Sequence, residues 1–237
     1  MKNYFKIAAY YTQNYLFEKH AIPVTRHEQI SKKVLEKYLP ADAVIVDCGA
    51  HNGADSVGLA KIFTGEIHSF EPVPTIFKSL KHATQKYSNI HCYNLALSDA
   101  NGKQEFYVSE GASDGSSSLL PPLEHLKDHP GTTFENKILV DTLTLDQWAI
   151  NNGISKVDML WLDMQGYEWN MLKTSEVILD TVKVIHTEIS TKETYLGVSI
   201  YQEYRNHLEG KGFEVVIEAI PTGYDMGNVL FVRKDKK

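Results

Sequence analysis

The sequence predicts an α/β fold, an open and mostly parallel sheet with helices packed on both faces. Three observations carry that prediction. Short apolar runs alternate with helix-like stretches over residues 44–97 and again over 157–208, the pattern of parallel strands joined by right-handed crossovers. The first run ends at Asp47 and leads into two glycines four apart, Gly49 and Gly53, directly ahead of a helix-like stretch. Finally, the runs VIVD, IHSFE, MLWLD and VIHTE each close on an acid: Asp47, Glu71, Asp163 and Glu188.

At 237 residues, with 43% apolar and 23% charged residues, the chain suits one globular domain with a full core. A net charge of −6, with no long basic block, excludes a general footprint for nucleic acid or anionic membrane. Cys48 and Cys92 sit in apolar runs without a C-x-x-C pairing and read as small buried hydrophobes in a reducing compartment. No apolar run is long enough to span a bilayer, and residues 1–17 lack a signal-peptide core, so a cytoplasmic location is expected.

Taken in order, residues 1–40 read as a helical extension. Thr25 and Glu28 form a capping-box pattern, Ile30, Val34, Leu35 and Tyr38 share a face, and Pro40 ends the helix. Residues 41–237 then form a single domain. Strands are expected at 44–47, 66–70 and 90–97, with a helix opening at Pro74 and carrying the stripe Ile76, Phe77, Leu80, Ala83 and Tyr87. Residues 104–108 suggest a short extra strand. The aperiodic stretch 109–137, with three prolines, is expected to be a lid-like insertion. Beyond it come a strand at 137–140, a helix at 143–151 stopped by Gly153, a strand at 157–162 and a helix at 169–179. A strand at 182–187 and a helix from Ser199, with Ile200, Tyr204 and Leu208 inward, precede a hairpin finish at 213–219 and 228–232 around Pro221-Thr222-Gly223.

Ligands of open α/β sheets bind beyond the carboxyl ends of the strands, so the four terminal acids should converge on one rim. Glycines in the first turn let backbone approach a ligand, and the following helix offers free N–H groups. Glu71, 22 residues after Gly49, stands where an acid can accept hydrogen bonds from both hydroxyls of an adenosine ribose. NAD(P) enzymes share that spacing, and an NAD(P)-binding oxidoreductase is the alternative reading. The turn Gly49-Ala50-His51-Asn52-Gly53, however, lacks the compact G-x-G-x-x-G that brings backbone against a pyrophosphate. A sulfonium ligand has no phosphate and favours nearby carboxylates, which Asp47 and Asp163 supply. S-adenosylmethionine is therefore the expected cofactor.

These residues fall within a longer series: VDCGAHNG, FEP at 70–72, NLALSD, SSSL at 116–119, VDTLTLDQW, LDMQGYEWNML at 162–172 and GNVLFV. In order and spacing the series resembles the FkbM family of S-adenosylmethionine-dependent methyltransferases. The resemblance implies a Rossmann-like class I methyltransferase fold, a seven-stranded, mostly parallel sheet with helices on both faces and an antiparallel last strand. It further implies that Asp47, Gly49, Gly53 and Glu71 line the cofactor, with Ala96, Ser98 and Asp99 at the adenine edge. His51 stands where the family usually has Asn, and a polar contact to the cofactor is expected of it. Gln165 stands where many members carry Glu, so it supplies neither a base nor a metal ligand here.

Methyl transfer to an alcohol needs the oxygen held in line with the methyl and a group to take its proton. Asp163 and Glu188 are the base candidates, and Glu168 is a further catalytic candidate that either orients substrate or caps its helix. His186 reads as a core histidine. A divalent metal on Asp163 and Glu188 is allowed by the spacing but not demanded by it. The expected reaction is O-methylation of a hydroxyl on a sugar, glycan precursor or natural-product small molecule. N-methylation of an amino-sugar is an alternative, because a carboxylate base serves either acceptor.

Overall fold

The computed structural model describes residues 30–123, 126, 131–220 and 225–234. The first 29 residues of the expected helical extension, with the Thr25–Glu28 capping box, and the turn at 221–223 lie outside the described residues. The first described element is a 3-10 helix, Lys32–Lys37, whose N-cap Ser31 accepts from the Lys33 N–H. It buries Leu35 fully, as the expected face required, while Val34 and Tyr38 pack at the edge of the same cluster.

A seven-stranded sheet forms the centre. Its strands are β1 (Ile45–Cys48), β2 (Ile67–Phe70), β3 (Ile90–Tyr93), β7 (Met159–Leu162), β8 (Val184–Ser190), β9 (Phe213–Ala219) and β10 (Met226–Arg233). Their spatial order is β3-β2-β1-β7-β8-β10-β9. β3, β2, β1, β7 and β8 run parallel, and β10 is antiparallel to both of its neighbours. The expected class I arrangement is present.

Alternation along β1 and β7 divides the core into two layers. Ile45, Met159 and Trp161 join Leu35, Leu59 and Phe63 on one face. Val46, Leu160 and Leu162 join Trp148, Met171, Leu179 and Leu208 on the other. The first face is covered by the 3-10 helix and α1 (Ala54–Ala60). The second is covered by α3 (Leu145–Asn152), α4 (Glu168–Leu172), α5 (Glu176–Leu179) and α6 (Tyr201–Gly210). The helix opening at Pro74 is α2 (Pro74–Thr84).

Several expectations change. The run at 90–97 is two strands, because the chain leaves the main sheet after β3 and Ala96–Leu97 (β4) enters a second sheet of order β4-β6-β5. There β5 (Gly102–Gly111) and β6 (Thr132–Leu143) form a long antiparallel hairpin. Both ends of the aperiodic 109–137 stretch are therefore strand. Much of this ribbon faces solvent, so its polar residues hide the period-2 signal. The expected helix at 169–179 is broken into α4 and α5. Thr174 Oγ1 and Ser175 Oγ both donate to the Met171 carbonyl, at 3.0 and 2.8 Å, competing with the helical ladder. Ile200 is the N-cap of α6 and is 41% exposed; Tyr201 takes the inward place instead.

Candidate active site

The turn after β1 is held by its own backbone. Gly49 and Ala50 N–H donate to the Phe70 carbonyl, Gly53 N–H donates to Ala50, and the Asp163 N–H donates to the Cys48 carbonyl. Gly49, His51 and Gly53 all have positive φ, at 82°, 47° and 87°. A Cβ on Gly49 would lie 1.8 Å from the Asp163 carbonyl oxygen, and one on Gly53 would lie 2.9 Å from Leu80 Cδ1. The bare backbone thus lets the turn press against the end of β7 on one side and α2 on the other.

Asp47 lies beneath this turn. In register with Ser69 and Trp161, it points to the layer covered by α1, where its Oδ2 accepts from Ser56 Oγ at 2.5 Å and Ser69 Oγ donates to Ser56 at 2.9 Å. Its Oδ1 has no hydrogen-bond partner. Burial, then the nearby Asp55, push its carboxyl up to about 7. Lys32 reaches over the Trp161 ring to pair with Asp55 at 2.7 Å.

Glu71 turns toward the bend. Its Oε1 accepts from the Val73 N–H at 2.7 Å, and the His51 N–H also faces the carboxyl. Burial raises it to about 7 against these two donors. The His51 ring extends the other way, with Nε2 3.3 Å from Asp114 on the connection between β5 and β6. Ala96 and Ser98 are buried beside this rim. Ser98 Oγ accepts from Gln104 at 2.8 Å, and Asp99 accepts from the Tyr167 hydroxyl at 2.8 Å.

Asp163 follows the last residue of β7, and Glu188 lies inside β8, one residue beyond Thr187, which pairs with Leu162. Glu188 does not end its strand as expected, because β10 carries the pairing on to Ser190. It nonetheless stands level with Asp163, since β7 stops one residue earlier. Gln165, at φ 52°, joins them: its Nε2 donates to Asp163 Oδ1 at 2.7 Å and to Glu188 Oε2 at 3.0 Å. Its Oε1 lies 3.2 Å from the Tyr195 hydroxyl, and its carbonyl accepts from Ser118 Oγ at 2.8 Å. Tyr195 also donates to the Ser116 carbonyl at 2.8 Å. Asp163 is open to solvent yet walled by protein, as in a cleft. That enclosure raises its carboxyl to about 6, with Gln165 opposing. Enclosure, then Asp163 and Glu168, push Glu188 well above the usual range.

Glu168 is buried, and its Oε1 accepts from the Met164 N–H at 2.8 Å and the Gly166 N–H at 3.4 Å. It closes the turn ahead of α4. Burial lifts it to about 7. His186 is a core residue, stacked on Trp161 at 3.7 Å. Among the described residues no group of three or more His, Cys, Asp or Glu is placed to hold a metal ion, and no helix is long and apolar enough to cross a membrane. Sequence reasoning missed the part played by Gln165. An amide between two strand-end acids carries two donor hydrogens, and that was the available signal.

Comparison with known proteins identifies the family and agrees with the fold. The family model described as "Methyltransferase FkbM domain" matches residues 47–215. The 2-O-methyltransferase NoeI of Sinorhizobium fredii (strain NBRC 101917 / NGR234) is 30% identical over 177 residues, covering 72% of this chain and 71% of that protein. The AMB antimetabolite synthetase AmbE of Pseudomonas aeruginosa is 25% identical over 228 residues, and there the match spans 11% of the relative's length. In fold, the chain is similar to the magnesium protoporphyrin IX methyltransferase of Synechocystis PCC 6803, solved with bound S-adenosylmethionine. The TM-score is 0.50 at 13% identity, over 85% of this chain and 74% of that one. The family match excludes the oxidoreductase alternative, and the chain belongs to the FkbM family of S-adenosylmethionine-dependent methyltransferases.

Proposed function

We propose that the chain O-methylates a hydroxyl on a sugar or another small polyhydroxylated molecule, with Asp163 and Glu188 handling the acceptor proton. The observation that carries this reading is the pair of accessible carboxylates bridged by Gln165 beside the Gly49 turn. A relative named as a 2-O-methyltransferase supports it.

The residues at the turn fit the cofactor. Glu71 spends one oxygen on Val73 and keeps capacity for ribose hydroxyls, and the exposed Asp163 carboxylate beside the turn suits a cation. S-adenosylmethionine supplies an electrophilic methyl on a sulfonium. Gly49, Gly53 and Glu71 would hold its adenosyl half, Ala96, Ser98 and Asp99 would lie on the adenine side, and His51 shapes the turn through its backbone. Asp47 acts from beneath, fixing α1 through Ser56. Glu188 accepts the hydroxyl proton as the new bond forms, its raised proton affinity making it a stronger base than an exposed carboxylate. Glu168 holds the Asp163–Gly166 turn in shape.

Titration calorimetry and mass spectrometry test this together. Glu71→Ala is expected to weaken S-adenosylmethionine binding at least about tenfold. The wild type is expected to add one methyl to a hydroxylated metabolite in a screen. Undiminished binding by Glu71→Ala, or no methyl gain on any hydroxyl compound, contradicts the reading.

A further inference from the structure

The Gln165 amide that joins Asp163 to Glu188 has two unlike ends, and its partners dictate which way it points. Ionised carboxylates only accept hydrogen bonds, so the amino end, with its two hydrogens, faces Asp163 Oδ1 and Glu188 Oε2. Oε1 is left needing a donor, and the Tyr195 hydroxyl meets it at 3.2 Å. The same hydroxyl reaches the Ser116 carbonyl at 2.8 Å, so its one hydrogen is shared between two acceptors.

Tyr195 is built into this place. It lies on the connection between β8 and α6, and its side chain is fully buried. Gly166 follows Gln165 at a φ of 94°, and a Cβ there would lie 3.3 Å from the Tyr195 ring and 3.0 Å from Val198. Bare backbone thus lets the ring lie against the turn that carries Gln165. The residues flanking Tyr195 are laced to the connection between β5 and β6. Leu196 N–H donates to the Pro121 carbonyl at 2.8 Å, and Leu123 N–H donates to the Thr194 carbonyl at 3.1 Å. From that same connection Ser118 holds the Gln165 carbonyl. Burial, then the charge of Glu188, push the phenol above its ordinary value, so it stays a donor at any working pH.

Two ionised acids would by themselves keep the amino end of Gln165 inward. Once a carboxyl has taken a proton it can donate as well, and an amide turned end for end would accept from it. A permanent donor facing Oε1 works against that turn. Resting on the O-methylation reading, we infer that Tyr195 is a positioning residue for the reaction. Its hydroxyl fixes the direction of the Gln165 amide, so that Asp163 and Glu188 keep their donors before and after Glu188 takes the acceptor proton.

Tyr195→Phe, which keeps the ring and so the packing, tests this in the full chain with radiolabelled S-adenosylmethionine and methyl hexosides as acceptors. It is expected to lower kcat about fivefold, the worth of one hydrogen bond, with the S-adenosylmethionine Kd within about threefold. If Tyr195 acts through the amide, Tyr195→Phe combined with Gln165→Leu falls within about twofold of Gln165→Leu alone, whereas independent losses multiply to about fiftyfold below the wild type. The side-chain amide signals of Gln165 in proton–nitrogen NMR, identified by their absence from Gln165→Leu, are expected to shift in Tyr195→Phe without any acceptor present. Multiplying losses, or amide signals that Tyr195→Phe leaves unmoved, overturn this inference and leave O-methylation standing. A wild type that binds the cofactor and methylates no hydroxylated acceptor overturns the O-methylation reading instead, and the amide signals still test the orientation.

Discussion

Replacing Asp47 by asparagine asks what the acids beneath the turn cost the fold. The Asp47 carboxyl is 1% exposed, accepts one hydrogen bond from Ser56 and leaves Oδ1 unpartnered. Burial and the Asp55 charge raise it from 3.8 to about 7. Because its folded pKa is raised, the native state binds more protons than the unfolded chain between those two values. The stabilisation is complete below the lower one and is lost as pH rises through the upper one. A shift of that size corresponds to about 4 kcal/mol once the pH exceeds 7. The amide of Asp47→Asn would carry no charge and would still accept from Ser56, though a neutral acceptor gives up about 1–2 kcal/mol of the charge-assisted bond. Asp47→Asn is therefore expected to be about 2–3 kcal/mol more stable than the wild type near pH 8.5, roughly 5–10 °C in Tm, with the advantage gone near pH 4.5. Urea unfolding across that range, followed by the fluorescence of buried Trp148 and Trp161, measures it. A wild type that stays the more stable at alkaline pH, or a difference constant with pH, would refute the burial account of Asp47.

Gly49→Ala places a methyl 1.8 Å from the Asp163 carbonyl at a φ of +82°, and is expected to cost at least about 3 kcal/mol, visible as a fallen urea midpoint; an unmoved midpoint means the turn opens freely. Gln165→Leu keeps the bulk and removes both donor hydrogens. It is expected to lower kcat about tenfold or more with the S-adenosylmethionine Kd within about threefold, and an equal loss in both would assign Gln165 to cofactor binding instead. The rise in Tm on adding S-adenosylmethionine is expected to be larger near pH 8 than near pH 5, because Glu71 and Asp163, raised to about 7 and about 6, are ionised only in the upper range. The same rise at both would separate cofactor binding from those acids.

The sheet was legible because its strands are buried on both faces: IVDC, IHSF and MLWL are fully buried and read as continuous apolar runs. Glu71 and Asp163 were equally legible as the acids that follow β2 and β7, whereas Asp47 lies within β1 facing α1 and Glu188 lies within β8, so the expected rim of four strand-end acids is two. Less visible were features set by contacts far apart in sequence. Nothing local to Gly49 shows that its missing Cβ makes room for the Asp163 backbone more than a hundred residues on. The strands expected at 104–108 and 137–140 are present in β5 and β6, but their extension into one long hairpin hid behind polar residues because the ribbon is half solvated. Gln165 looked like a lost carboxylate. Its value comes from β7 stopping just where β8 continues, which sets Asp163 and Glu188 at the two hydrogens of one amide.

That amide also joins the two halves of the reaction. Enclosure raises the proton affinity of both Asp163 and Glu188, and the charge of Asp163 raises that of Glu188 further. Gln165 offsets the repulsion with neutral donors, which hold the pair in place without discharging either acid. A cation arriving beside Asp163 does what the amide does not. A cation held there would favour ionised Asp163 and, with Glu188 as the proposed base, the ionised form of Glu188 that can take a hydroxyl proton. The distances run through a single side chain, so the coupling needs no domain movement.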